Sequence, residues 1–517
     1  MKNSKLYLFL FIFLITACTH TQQSGTLQRS VPEAEGVSSK GILTFLDSAA
    51  VSRHEFHSIV FLRHGKIVAE GWWNPYRSDL KHSLYSTSKS FTSTAVGFAV
   101  SEKKLRLDDK VLSFFPEDKP DSVSPFLAEL NVRDLITMSV GMDPEPTGRV
   151  VSQDSNWVKG FLASPIINKP GTKFLYNSLS TYMLSAIVQK VTGQKVIDYL
   201  TSRLFQPLGI EGEDWETDPK GINTGGWGLR LKTEDMAKFG QLLLQKGSWN
   251  GKQVVPKAWV EEATSFKIDQ VPGAPQSKKD SSDWMQGYCY QFWRCRHNAF
   301  RADGAFGQFI IVMPDKDVVI AITAESPDMQ DEINLVWKYL YPAISDNRLP
   351  ANDATDKELA QRLSTLALAL PPEGVKSELP AGLTGKTFSF PTNDRHLKSM
   401  RLHFSDSVCM LNLATETGTY DFNFAYGKWA FGETTKPGPY LVGAINLYAG
   451  MPALKVAGSY TWTDPNTLEL VLRYIESPHT ETFVCRFDKN KLFLNDRSSF
   501  NPGAGNATLE GKPVAEK

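Results

Sequence analysis

The chain has 517 residues, 41% of them hydrophobic and 22% charged, the make-up of an ordinary globular protein with room for two or three domains. Lys plus Arg and Asp plus Glu are both 56, and no basic cluster is interleaved with aromatics, so the composition argues against a nucleic-acid groove or a polyanionic partner.

The first five residues, Met1-Lys2-Asn3-Ser4-Lys5, form a basic start, and residues 6–16 are apolar. That stretch has the length of a secretory signal core and is too short to span a bilayer. It ends in Leu14-Ile15-Thr16-Ala17-Cys18, followed by a polar run to Gly25. The pattern resembles the lipobox of bacterial lipoproteins. It implies a signal peptide over 1–17, lipidation of Cys18, a tether over 18–34, and an exported protein anchored to a membrane, periplasmic or at the cell surface. A plain signal peptide cut at Ala17 is the alternative.

A hairpin is predicted over 57–70, with apolar runs flanking the turn-like Arg63-His64-Gly65-Lys66. Then comes Tyr85-Ser86-Thr87-Ser88-Lys89-Ser90-Phe91, leading into an apolar run that reads as a buried helix. Positions i and i+3 share a helix face, so Ser86 and Lys89 can meet. Serine is a poor nucleophile until a base takes its proton, and lysine serves as that base only if its pKa falls from about 10.4. A Ser-x-x-Lys tetrad alone is a weak signal. A second one, Ser101 to Lys104, lies in a charged run and reads as a solvated helix end.

Three further stretches stand out downstream. Pro170-Gly171-Thr172-Lys173-Phe174-Leu175-Tyr176-Asn177-Ser178 enters an apolar helix over 182–191. Gly225-Gly226-Trp227-Gly228-Leu229-Arg230-Leu231 precedes a helix over 234–244 with Met236, Phe239, Leu242 and Leu243 at helical spacing. Ala302-Asp303-Gly304-Ala305-Phe306-Gly307-Gln308 enters a continuously apolar hairpin over 309–322, and a helix over 333–341 follows. Helices mixed with antiparallel strands at both ends of the region predict an α+β fold, with the N- and C-terminal strands meeting in one sheet.

Beyond residue 345 the texture changes. A linker over 346–374 contains a helix over 358–370, closed by Pro371-Pro372-Glu373-Gly374. From 375 to 517 about seven alternating strands predict a separate all-β barrel or sandwich carrying no catalytic group. Cys289, Cys295, Cys409 and Cys485 show neither Cys-x-x-Cys nor zinc spacing and read as buried free thiols, and no metal or organic cofactor is expected.

The four stretches, in this order, resemble the serine β-lactamase, penicillin-binding protein and related esterase superfamily, on its class C β-lactamase and D,D-peptidase-like branch, over residues 35–345. The resemblance implies that domain's antiparallel sheet with an all-helical subdomain. By position it makes Ser86 the acylated nucleophile, Lys89 its proton acceptor and Tyr176 a proton relay. The oxyanion hole would be built by the N–H of Ser86 and one from 303–306, with Gly304 and Ala305 the nearest. Two positions depart from the family pattern. Where the family places an asparagine two residues after the tyrosine, the chain has Ser178, with Asn177 one place early. Where a lysine or histidine opens the third motif, the chain has Ala302 between Arg301 and Asp303. Arg301 is the one residue positioned to replace that cation; Asp303 is a candidate for the site edge. The reading is an exported serine hydrolase acting on an ester, amide or peptide-like substrate. A decayed binding protein on the same scaffold and a true β-lactamase or D,D-peptidase are the alternatives.

Overall fold

The structure is a computed structural model, and it describes residues 25–375, 377, 383–500 and 508–514. Cys18 and the signal-like segment lie outside the described residues.

The first unit is built on a seven-stranded sheet. Its strands are β1 (Gln28–Arg29), β2 (Glu55–Arg63), β3 (Lys66–Trp72), β4 (Trp293–Arg294), β5 (Phe300–Gly304), β6 (Gln308–Met313) and β7 (Val318–Glu325). They lie in the order β1-β3-β2-β7-β6-β5-β4. The β2–β3 hairpin turns through His64 and Gly65, both at positive φ, as a two-residue hairpin turn requires. Strand β2 pairs antiparallel with β7 from Arg63↔Val318 to Glu55↔Glu325, so the two ends of the unit meet in one sheet as the sequence predicts.

Both faces of the sheet are covered, which is why the runs 59–62, 309–313 and 318–322 of its central strands are continuously apolar. Val60, Leu62, Ile310 and Val312 face the buried helix α2 (Ser88–Ser101) and its neighbours α3 (Val132–Ile136), α4 (Ser178–Thr192) and α5 (Thr233–Leu244). Ile59, Phe61, Phe309 and Ile311 face the terminal helices α1 (Ser39–Ala50) and α6 (Met329–Leu335). Helix α3 starts on a capping box between Asn131 and Asp134, and α4 ends on Gly193 at φ +74°. A last helix, α7 (Asp353–Ser364), ends six residues before the predicted 370. Beyond it the chain turns extended because Asn74 takes its backbone: Asn74 N–H donates to Leu366 O, and Leu368 N–H donates to Asn74 O.

The second unit is a closed barrel. Its strands are β8 (Thr387–Ser389), β9 (Leu397–Ser405), β10 (Val408–Thr415), β11 (Thr419–Tyr426), β12 (Ala430–Thr434), β13 (Leu454–Asp464), β14 (Thr467–Tyr474), β15 (Thr480–Asp488), β16 (Lys491–Ser498) and β17 (Leu509–Pro513). The order is β11-β10-β9-β8-β17-β16-β15-β14-β13-β12, and pairing of β11 with β13 closes it. Alternate residues such as Leu402, Leu411, Phe424, Leu470 and Phe483 fill the interior. Cys409 and Cys485 lie among them, and all four described cysteines are buried free thiols.

The barrel docks on the first unit through an apolar cluster of Tyr76, Leu80, Trp429, Ala457 and Ile475 and through polar contacts. Arg473 pairs with Glu55 at 3.0 Å, Glu476 with Arg230 at 3.3 Å, and the Tyr76 hydroxyl donates to Ser477 O at 3.0 Å. The loop over 435–453 reaches furthest across: Ile445 N–H donates to Val151 O, and Tyr440 stacks on Tyr85 at 4.9 Å.

Candidate active site

Ser86 lies in the 3₁₀ turn Tyr85–Thr87 that leads straight into α2, and it is half-buried. Lys89, in the first turn of α2, is 1% exposed. The one-turn spacing works as the sequence predicts: Lys89 Nζ is 2.9 Å from Ser86 Oγ. Two other oxygens complete its shell, Ser178 Oγ at 3.0 Å and the carbonyl of Gly226 at 2.6 Å. Among the described residues no carboxylate pairs with Nζ. Burial pushes the Lys89 amine down to about 7, against the opposing pull of Glu145 and Asp303. Lys89 Nζ can donate to all three oxygens when protonated; as a neutral amine it can keep two of these donations, to Ser178 and Gly226, and turn its lone pair to the Ser86 hydroxyl.

Each neighbour is placed by a reason visible in the chain. Ser178 opens α4, and Asn177 is the cap of that helix, its side chain accepting from Ser180 N–H at 3.0 Å. Asn177 is therefore turned to its own helix, and Ser178 occupies the place beside Lys89. Gly226 must be glycine: a Cβ there would lie 2.7 Å from the carbonyl oxygen of Ser178. That close approach explains the Gly225-Gly226 pair and brings the Gly226 carbonyl to Lys89. Trp227 and Arg230, from the same stretch, are structural. Trp227 packs on Trp157, and Arg230 is held by Asp214 and Glu476.

The Tyr176 ring stands over Lys89, with Nζ 4.9 Å from its centroid, and stacks on Trp293 at 5.6 Å. Burial pushes its phenol well above the ordinary range, and Ser86 is the hydrogen-bonding neighbour that offsets part of that rise. At neutral pH Tyr176 is a hydroxyl, not a phenolate.

On β5 the side chains alternate. Ala302 faces the core on the α2 side, while Arg301 and Asp303 share the opposite face. Arg301 is fully buried and committed: Nε is 2.7 Å from Asp303 Oδ2, one terminal nitrogen donates to Asp283 O at 2.9 Å, and the guanidinium lies over Trp284 at 4.1 Å. It does not replace the missing cation. Burial pushes the Asp303 carboxyl up, against the pull of Arg301. Gly304 ends β5 hard against the Ser86 turn, where a Cβ would lie 2.2 Å from Leu84 O. Ala305 follows, and its carbonyl is held by the buried Gln308 side chain at 3.0 Å.

The site thus brings together Ser86, Lys89, Tyr176 and Ser178, with Gly304 and Ala305 beside the Ser86 turn. Asn177 and Arg301 are turned to structural partners. Sequence reasoning did not assign the Gly226 carbonyl or Gln308, although both fall inside the stretches it marked.

The beta-lactamase family profile matches residues 56–338, more than half of the chain and all of this geometry. The chain belongs to the beta-lactamase family. As a beta-lactamase-family protein with hydrolase relatives it is a serine hydrolase. It is 26% identical over 293 residues to a 6-aminohexanoate-dimer hydrolase of Paenarthrobacter ureafaciens, covering 52% of this chain and 73% of that one. It is 29% identical over 140 residues to a putative D-alanyl-D-alanine carboxypeptidase of Escherichia coli, covering 25% of this chain and only 32% of the relative. Among solved structures, a putative 6-aminohexanoate-dimer hydrolase from Bacillus anthracis superposes with a TM-score of 0.52 at 22% identity, over 62% of this chain and 87% of that one; this likeness is one of fold.

Proposed function

We propose that this beta-lactamase-family protein hydrolyses neutral esters or amides through an acyl-enzyme on Ser86. The observation that carries the reading is the buried Lys89 amine, 2.9 Å from Ser86 Oγ and pushed down to about 7. Lys89 takes the Ser86 proton as Oγ adds to the substrate carbonyl. The carbonyl oxygen becomes an oxyanion held by the N–H groups of Ser86 and Ala305, each worth roughly 10²–10³ in rate. Tyr176, protonated, passes its proton to the leaving oxygen or nitrogen and regains one from Lys89. Water then repeats the sequence in reverse and frees Ser86. Two features support a neutral substrate: Ala302 stands where a cation would hold a carboxylate, and Arg301 is spent on Asp303. The relatives' names, a dimer hydrolase and a carboxypeptidase, fit acyl transfer of this kind. We also place the protein outside the cytoplasm, lipid-anchored through Cys18.

The test is labelling of the full chain with a fluorophosphonate, read by intact mass. The wild type gains one adduct and Ser86→Ala gains none, with a thermal midpoint near that of the wild type because only a small hydroxyl is removed. An adduct that persists in Ser86→Ala places the nucleophile elsewhere.

A further inference from the structure

Behind the nucleophile turn runs a chain of buried polar groups that the steps above do not use. Tyr85, immediately before Ser86, is 1% exposed and has φ of +46°. A bulky residue in the left-handed region is strained and persists only where its surroundings hold it. Its hydroxyl lies 2.6 Å from His479 Nε2, and His479 Nδ1 lies 2.7 Å from Glu325 Oε1. With Nδ1–H directed at the Glu325 carboxylate, Nε2 of that tautomer is the acceptor for the Tyr85 hydroxyl. Ser499 donates to the same Glu325 oxygen at 2.6 Å.

The same imidazole reaches the other half of the site. Phe306, next to Ala305, is also at positive φ, +65°. Its ring meets His479 edge-on at 4.7 Å and Tyr85 at 5.6 Å. His479 therefore touches the neighbour of each oxyanion donor, Tyr85 beside Ser86 and Phe306 beside Ala305. Both neighbours hold a backbone conformation that side chains rarely adopt. Glu325 is the last residue of β7, whereas His479 and Ser499 belong to the barrel unit.

We propose that His479, fixed in one tautomer by Glu325, is a positioning residue for acyl transfer. It locks Tyr85 and Phe306 in place and so sets the spacing of the Ser86 and Ala305 N–H groups. The inference rests on Ser86 being the nucleophile. Donors that are aimed at the oxyanion act in the transition state, so their misplacement lowers kcat and leaves KM nearly unchanged.

The experiment uses the full chain, a short p-nitrophenyl ester, and kcat expressed per site titrated with fluorophosphonate. His479→Ala lowers kcat by about 10–100-fold, less than the loss of a whole donor, with KM within about twofold. Tyr85→Phe keeps the ring, folds as the wild type does and lowers kcat by about 5–20-fold, since it removes the same link from the other side. The double variant is no worse than His479→Ala alone, and His479→Gln, which restores an acceptor for Tyr85, recovers part of the loss. Unchanged kcat per titrated site in Tyr85→Phe and His479→Ala, whatever happens to the thermal midpoint, reduces His479 to a contact between the two units and overturns the proposal. Multiplying losses in the double variant do the same. Failure of the wild type to label at Ser86 is a separate outcome, read in the mass spectra, and overturns the nucleophile reading instead.

Discussion

Lys89 has the surroundings of a base rather than of an ion-pair partner: three oxygens, no carboxylate among the described residues, and an amine pushed down to about 7 by burial. On the proposed acyl-enzyme route the neutral amine is the active form, so acylation is expected to slow as pH falls through about 7 and to level off above it. A pH profile of pre-steady-state acylation measures this, and a profile flat from pH 6 to 9 would remove Lys89 from the role. Lys89→Arg keeps a cation but cannot release its proton, so it is expected to lose at least about 10²-fold in acylation rate, the lower range for a general base. Ser178 offers a finer test. Ser178→Ala takes one acceptor from Nζ, and a loss of about 0.5–1.5 kcal/mol, roughly twofold to twelvefold in kcat/KM, is expected. Ser178→Asn, with a carbonyl oxygen in reach of Nζ, is expected to retain more activity than Ser178→Ala; the ranking of the two in a steady-state assay settles the matter.

Strand β5 shows how much an element's alternation decides. Arg301 and Ala302 are sequence neighbours, yet one is locked to Asp303 on one face and the other packs into the opposite core. Arg301→Ala is therefore expected to destabilise the fold by about 3–5 kcal/mol, since it strips a buried carboxylate of its partner, and not to change KM selectively for carboxylate-bearing substrates. Denaturant unfolding beside cephalosporin and p-nitrophenyl ester kinetics separates the two effects; a stable variant with a raised KM for cephalosporins alone would refute the assignment. Local patterns made these elements legible in advance. One helical turn put Ser86 beside Lys89, a two-residue turn joined β2 to β3, and continuous apolar runs announced the buried β6–β7 hairpin. What stayed hidden depended on distance or on competition. Ser178 looked like a lost asparagine because sequence does not show which of two adjacent polar residues caps α4 and which turns to Lys89. The end of α7 was misplaced because Asn74, nearly three hundred positions earlier, pairs with the backbone beyond it. His479 lies 394 positions from Tyr85, and no local pattern connects them.

At the scale of the whole molecule, the two units share ionic contacts that make their union sensitive to acid. Burial alone would push the Glu55 carboxyl up, but His57 and Arg473 outweigh it and hold Glu55 down to about 2, below the ordinary carboxylate value of about 4.3. Relative to the unfolded chain, ionised Glu55 thus stabilises the folded, docked molecule: its contribution is complete above about pH 4.3 and is lost as pH falls toward 2, and the part owed to Arg473 belongs to docking. Removing Arg473 takes away part of that hold, so Arg473→Ala is expected to shift the acid transition to higher pH, followed by near-ultraviolet circular dichroism; an unshifted midpoint would show that the pair does not govern docking. The order of contacts along the chain carries one more consequence, for biosynthesis. Strand β2 leaves the ribosome early, but its partner β7 begins at Val318 and the Tyr85 partner His479 comes later still. At roughly 5–20 residues per second, the nascent nucleophile turn waits tens of seconds for these supports. On the proposed route, the growing polypeptide gains its full acylating power only after the barrel segment that carries His479 has been made and docked.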